Sequence, residues 1–310
     1  MTLTMTENTF GFYSTALDVA TQLGTDRAKD SIAVVTGGNS GIGVETVRAL
    51  SHIGCQVILC ARNVSSATKV ADEINATETS GCVTVQEMDL ADLRSVKTAA
   101  ETILSKQKKI QYLVLNAGVM ACPLSRTAQG LEMQFGTNHV GHFYLTQLLL
   151  PAVKAAGEPG KESRIIAVSS LAHKMGSIRL DDLNYDTRWY NSWKAYGDSK
   201  LYNVLFARHL ATLLKDDNVL VYSLHPGSIV TNLQRHSWYV IPIQKIFFFT
   251  TKTIEQGAST SVYACLADGI PSGSYLSNCA VAETSGPGND MESAEKLWTM
   301  TENIIAEKMA

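Results

Sequence analysis

What this chain of 310 residues lacks narrows its function before any motif is read. The formal net charge is only −3 and no run of lysine or arginine occurs, so nothing invites a nucleic acid or another polyanion. No apolar stretch reaches the roughly 18 residues that a membrane-spanning helix needs. The nearest, Tyr239 to Phe249, is interrupted by Pro242, Gln244 and Lys245. The first thirty residues hold neither a cationic start nor an apolar core, so the expectation is a chain without a secretory leader. The six cysteines (55, 60, 82, 122, 265 and 279) show no paired metal-ligand spacing and fall mostly in apolar stretches. Buried free thiols in a reducing compartment, and no metal centre, are expected. Glycosylation sequons at Asn63 and Asn75 carry no weight without a leader. With 45% hydrophobic residues, no internal repeat and no linker-like shift in composition, the chain has the means for one full core.

What is present is regular alternation. Short apolar runs at 32–35, 56–60, 83–88, 112–116, 164–168, 219–225 and near 274–276 predict strands. Helical spacing predicts helices over about 41–53, 65–76, 91–106, 128–154, 192–215 and 254–267. Strand and helix in turn imply right-handed crossovers and a parallel sheet covered on both faces. The expected fold class is α/β, a Rossmann-like doubly wound parallel sheet in a single domain over residues 31–290. Residues 1–30 make an N-terminal extension and 291–310 a C-terminal helix.

Gly37, Gly41 and Gly43 follow the first predicted strand directly. Glycines there serve a tight turn, close approach of backbone to a pyrophosphate, and tight contact of helix with strand. A helix opening at Gly41 would aim free N–H groups at the anion. The end of the second strand selects the dinucleotide. An NAD site keeps a carboxylate there for the ribose hydroxyl, but this chain reads Leu59-Cys60-Ala61-Arg62-Asn63. Arg62 could grip a 2′-phosphate, so the expected cofactor is NADP(H), with NAD(H) the lesser alternative; an idle surface arginine is the competing reading. Asp89 ends the third strand, where a carboxylate can accept from an adenine amine. Asn116, Ala117 and Gly118 end the fourth, where small residues let backbone lie beside the cofactor.

Tyr196-Gly-Asp-Ser-Lys200 puts a phenol and an ammonium one helical turn apart on one face. A free phenol titrates near 10, and a neighbouring ammonium would lower that value toward use as an acid or base. Lys200 could also hold ribose hydroxyls. Tyr190-Asn-Ser-Trp-Lys194 has the same spacing, but Asn191 and Ser192 look like a helix N-cap that leaves Tyr190 outside. Ser170, after the fifth strand, can hold a substrate oxygen, or else cap a helix. Asn138, in Phe135-Gly-Thr-Asn-His-Val-Gly-His142, sits mid-helix where an amide is a poor helix former. It is either a satisfied core amide or part of a water-mediated proton path to Lys200.

Taken in order, Thr36-Gly-x-x-x-Gly-Ile-Gly43, Asn116-Ala-Gly118, Asn138, Ser170, Tyr196-x-x-x-Lys200 and Pro226-Gly227 resemble the motif set of the short-chain dehydrogenases/reductases over nearly the whole chain. Asn138-His-Val-Gly-His-Phe143, Ser199-Lys-Leu-Tyr-Asn-Val-Leu-Phe206 and His225-Pro-Gly227 look like the retinol dehydrogenase group. Arg235-His-Ser-Trp238 and Gln256-Gly-Ala-Ser-Thr260 are similar to the oxidoreductase domain of WW-domain-containing oxidoreductases. The resemblance implies Tyr196 as acid/base, Ser170 on the substrate oxygen, Lys200 on the ribose and Asn138 in a proton relay. It also implies Asn39, Ser40, Ile42, Pro226, Gly227 and Ile229 along the cofactor, and Thr231 on the nicotinamide carboxamide. Two departures limit it. No tryptophan pair marks a WW module, and the N-terminal anchor of microsomal retinol dehydrogenases has no counterpart.

The function expected is hydride transfer between the dinucleotide and an apolar alcohol, aldehyde or ketone of retinoid, steroid or lipid type, in the cytoplasm. A cofactor-binding, weakly catalytic regulator acting through protein partners is the alternative. Residues 232–253 are expected to form a substrate loop. Within it, 239–249 could make peripheral membrane contact through Phe247–Phe249 and Lys245, or simply pack on the core. A homodimer is compatible with the sequence.

Overall fold

Capping residues, glycines and apolar runs divide the chain into its elements. The computed structural model describes residues 10–24, 28–78, 80–229 and 251–310. Helix α1 (Ala16–Leu23) lies within the N-terminal extension, where the sequence pattern gave no helix. Thr15 caps it, its hydroxyl accepting from Asp18 N while the Asp18 carboxylate accepts from Thr15 N. Its small buried residues Ala16, Val19 and Ala20 let it lie close to the rest of the core.

The alternating pattern then runs β1 (Ile32–Thr36), α2 (Ile42–His52), β2 (Gln56–Ala61), α3 (Val64–Thr77), β3 (Cys82–Glu87), α4 (Leu93–Lys106) and β4 (Tyr112–Leu115). A helical turn, Met133–Phe135, passes through a π-helical turn, Gly136–Val140, into α5 (Gly141–Ala156). The second half continues with β5 (Ser163–Val168), α6 (Ser192–Leu213), β6 (Val219–His225) and β7 (Ser228–Ile229). After residue 250 come β8 (Thr251–Lys252), α7 (Ile254–Leu266), β9 (Tyr275–Ser277), β10 (Ala280–Val281) and α8 (Met291–Met309). Thr231, most of the predicted substrate loop 232–253 and the whole of 239–249 lie outside the described residues.

The main sheet has the order β10-β9-β6-β5-β4-β1-β2-β3, parallel throughout except for the antiparallel β9–β10 pair. Alternate residues along each strand serve opposite faces. Val34, Leu113 and Ile165 join one core with α4, α5, α6 and α8, whereas Val35, Val114 and Ile166 join the other with α1, α2, α3 and α7. Strand order reverses between β1 and β4, and a crevice opens beyond the carboxyl ends of the strands at such a point. β7 and β8 form a separate parallel pair, Ser228 opposite Thr251 and Ile229 opposite Lys252, at the rim of that crevice. The doubly wound sheet expected from the sequence is therefore present. Among the described residues no helix is long and apolar enough to cross a membrane.

Candidate active site

The crevice is a cleft of about 530 Å³ that runs from the glycine-rich turn to the start of α6. At one end Gly37 and Gly41 hold positive φ angles of +67° and +55°, which side chains disfavour. A Cβ on Gly37 would stand 2.9 Å from Ala117 Cα, and one on Gly43 would stand 2.7 Å from Asn116 Nδ2. Gly41 caps α2 without any side-chain hydrogen bond, so the first N–H groups of that helix are left for an anion. Gly43 packs behind the turn and does not line the cleft. Gly37, Asn39, Ser40, Gly41 and Ile42 do line it, as do Asn116, Ala117, Gly118, Pro226, Gly227 and Ile229.

Arg62 and Asp89 meet at the far end of this floor. Their ion pair is long, 3.8 Å, with Arg62 69% exposed. Asp89 Oδ1 already accepts from Ala91 N at 2.9 Å, so the carboxylate is partly spent on its own turn. The guanidinium is the more available group.

Tyr196 and Lys200 lie at the other end, brought there by α6, which Asn191 caps by accepting from Lys194 N at 3.0 Å. Tyr196 is 4% exposed and sits in a small apolar cluster with Met120, Ala121, Ala172 and Trp193. Burial pushes its phenol up to about 12, and a hydrogen bond with Ser170 pulls the other way. The expected lowering by Lys200 is not met here: desolvation dominates, and the hydrogen bond with Ser170 is what opposes it. The ammonium lies 5.7 Å from the centre of the Tyr196 ring and donates to Val168 O at 2.9 Å. Its own burial lowers Lys200 to about 8. Ser170 lines the cleft and also caps the short turn Leu171–Met175, its Oγ accepting from Ala172 N at 3.2 Å. The capping reading of that serine is met, and its place in the cleft leaves it within reach of the phenol.

Asn138 is fully buried behind the cleft wall, inside the π-helical turn. Its Oδ1 accepts from Val119 N at 2.8 Å, and its Nδ2 donates to Val119 O at 2.9 Å and Ser199 Oγ at 3.0 Å. Direct protein partners thus take both donors of the amide and one lone pair of its oxygen. The decoy Tyr190 lies outside α6, as its position before Asn191 requires. Its hydroxyl serves a buried cap, donating to Cys122 O at 2.9 Å and lying 3.1 Å from Glu132 Oε1.

The sequence assigns no role of their own to three further residues at or behind the cleft. Trp193 is one, facing the phenol edge-on at 6.5 Å. His225 is another, accepting from Leu171 N at 3.1 Å and pushed down to about 4 by burial. His142 is a third, buried out of the cleft four residues after Asn138.

A family model described as short chain dehydrogenase matches residues 31–239. Retinol dehydrogenase 11 of Homo sapiens is 41% identical over 276 residues, covering 88% of this chain and 85% of that protein. The chloroplastic short-chain dehydrogenase TIC 32 B of Brassica napus is 38% identical over 305 residues, covering 96% of this chain and 94% of that one. A crystal structure of a protein from Mycobacterium paratuberculosis superposes with a TM-score of 0.75 at 32% identity, covering 93% of this chain and 97% of that one.

Proposed function

The chain belongs to the short-chain dehydrogenase family, and from that premise we propose that it is an NADP(H)-dependent oxidoreductase interconverting an apolar alcohol with its aldehyde or ketone. The observation that carries this reading is one cleft holding the glycine-rich turn, Arg62, Ser170, Tyr196 and Lys200 together. The residues fit a dinucleotide. Side chains at Gly37 and Gly43 would collide with the turn's own neighbours, and α2 begins with uncapped N–H groups where a pyrophosphate would rest. Arg62 would hold the 2′-phosphate, Lys200 the nicotinamide ribose, and Thr231 the carboxamide. When bound, the nicotinamide supplies or accepts the hydride.

The chain's own contribution is the proton. With its phenol held at about 12, Tyr196 is protonated at neutral pH and poised as an acid. It passes its proton to the substrate oxygen in reduction, and the phenolate left behind is stabilised by the Lys200 ammonium. Oxidation runs the same steps backwards. Ser170 holds the substrate oxygen toward the phenol. Asn138 acts from behind, fixing Val119 and Ser199. An apolar substrate is favoured because Met120, Ala172 and Trp193 surround the phenol and Leu171 is 54% exposed at the rim. The similarity to retinol dehydrogenase 11 supports the same substrate class.

The test is kcat/KM with NADPH and NADH on retinal, a ketosteroid and a short aldehyde. NADPH and the bulky carbonyls are expected to win. Arg62→Ala should lose about 1.5–3 kcal/mol of the preference, as expected for a hydrogen bond to a charged phosphate. Tyr196→Phe should drop turnover by about two to four decades with dinucleotide still bound, whereas Tyr190→Phe keeps turnover. A wild type preferring NADH, or full turnover in Tyr196→Phe, refutes the corresponding assignment.

A further inference from the structure

His142 occupies the first turn of α5, 3% exposed, with both ring nitrogens engaged. Nδ1 lies 3.0 Å from Asn138 O, and Nε2 lies 2.9 Å from Thr36 Oγ1. A carbonyl can only accept, so Nδ1 must carry the proton. The Thr36 hydroxyl accepts from Asn116 N and from Ala117 N, each at 2.9 Å, which fills both of its lone pairs. Its own proton is left for Nε2. One neutral tautomer satisfies every partner, and a protonated ring would oppose a donor to the Thr36 hydroxyl proton.

We propose that His142 is a positioning residue that fixes the cofactor cradle against the helix bearing Tyr196 and Lys200, acting through this single tautomer. The proposal rests on the function given above. The imidazole ties three segments together: the end of β1, the turn after β4 and the π-helical turn. Thr36 leads into Gly37, while Asn116 and Ala117 lead into Gly118. Asn138, held by its carbonyl, in turn holds Val119 and reaches Ser199 on α6. The three segments converge under the ammonium, since a Cβ on Gly118 would stand 3.1 Å from Asn138 Oδ1 and 3.6 Å from Lys200 Nζ. An apolar side chain would fill the same buried volume without desolvating two polar atoms, so the imidazole is there for its partners. His139, also buried in the same stretch, lies 3.2 Å from Thr301 of α8 instead and faces away from the cleft.

In His142→Phe the dinucleotide dissociation constant should rise about tenfold and kcat fall about a hundredfold, the scale of an ångström-sized misplacement, with substrate KM little changed. His142→Asn, which keeps a donor near the Nδ1 position, should recover about tenfold in kcat over the phenylalanine variant. His139→Phe is the control, expected to lower Tm while leaving kcat unchanged. Imidazole NMR of the ligand-free protein at pH 7 should show His142 as the Nδ1–H tautomer. An Nε2–H tautomer overturns the proposal, as does a His142→Phe enzyme with wild-type kcat and dinucleotide affinity and only a lower Tm. A wild type that turns over no carbonyl overturns the proposed function instead; His142 is then judged on dinucleotide affinity and tautomer alone.

Discussion

Lys200 holds its charge where burial makes charge costly. Its ammonium is lowered from 10.5 to about 8, which corresponds to about 3 kcal/mol of folding stability forgone at neutral pH. The sign follows from proton binding. Between pH 8 and 10.5 the unfolded chain holds the proton more often than the folded one, so stability rises with pH across that window. The cost is fully present below about pH 8. Lys200→Met should therefore be more stable than wild type at pH 7, by about 2 kcal/mol after loss of the bond to Val168 O. That carbonyl keeps a donor, Asn203 Nδ2 at 3.3 Å, so no buried acceptor is orphaned. Urea unfolding at pH 7 and pH 10 checks this: the gain should shrink at the higher pH, and turnover should be lost at both. A variant less stable at pH 7 would show that the ammonium contributes more than its desolvation costs. Such a residue was legible as a candidate because Tyr196 and Lys200 share a helix face. The shift of its partner was not legible, since, Trp193 apart, the phenol's environment comes from Met120, Ala121 and Ala172, distant from it in sequence.

Elements with long, strongly patterned cores were read from the sequence almost to their ends, and short or irregular ones were not. β6 begins and ends where its apolar run does, and α6 starts where Asn191 signals a cap. α1 escaped because only a turn or two of small residues marks it, although the Thr15–Asp18 capping box was there to be seen. The π-helical turn escaped for a different reason. Nothing in 136–140 announces an extra residue in the turn; the mid-helix Asn138 was the sole irregularity visible. α8 was expected, but its partners were not. Trp298 stacks on Phe206 with ring centres 5.9 Å apart and planes 7° from parallel, and lies 4.5 Å from Phe143. This cluster fastens α8 to α5 and α6 from the side away from the cleft. Trp298→Ala should cost about 2–3 kcal/mol in chemical denaturation, less than a fully buried tryptophan because it is only partly covered. Turnover per folded molecule should stay unchanged. If kcat falls with stability, the helix reaches the site by a route this cluster does not describe.

The whole molecule is two cores sharing one sheet, and the sharing is residue by residue. Val34 faces one core and Val35 the other, so neither layer of helices can leave without stripping the strands that the opposite layer covers. Opening should therefore be cooperative across both faces. The cysteines report on this from each side. Cys60 belongs to the core with α4, α5, α6 and α8, and Cys55 and Cys265 belong to the opposite one. None of the six forms a disulfide; five are buried, in line with their mostly apolar stretches, and Cys82 is exposed. Burial also raises the thiols, Cys60 and Cys265 each to about 12, so the reactive thiolate is scarce until the site opens. A thiol reagent on the native protein should find one fast group, abolished in Cys82→Ser, and six groups after denaturation. The decisive comparison is between the slow groups. Mass-resolved labelling in sub-denaturing urea should release Cys60 and Cys55 at rates within about threefold of each other, with the same urea dependence, because one unit opens. A rate for Cys60 more than about tenfold above that of Cys55 would mean that the layer of α4, α5, α6 and α8 opens by itself, and the alternation along β1 would not bind the two cores into one.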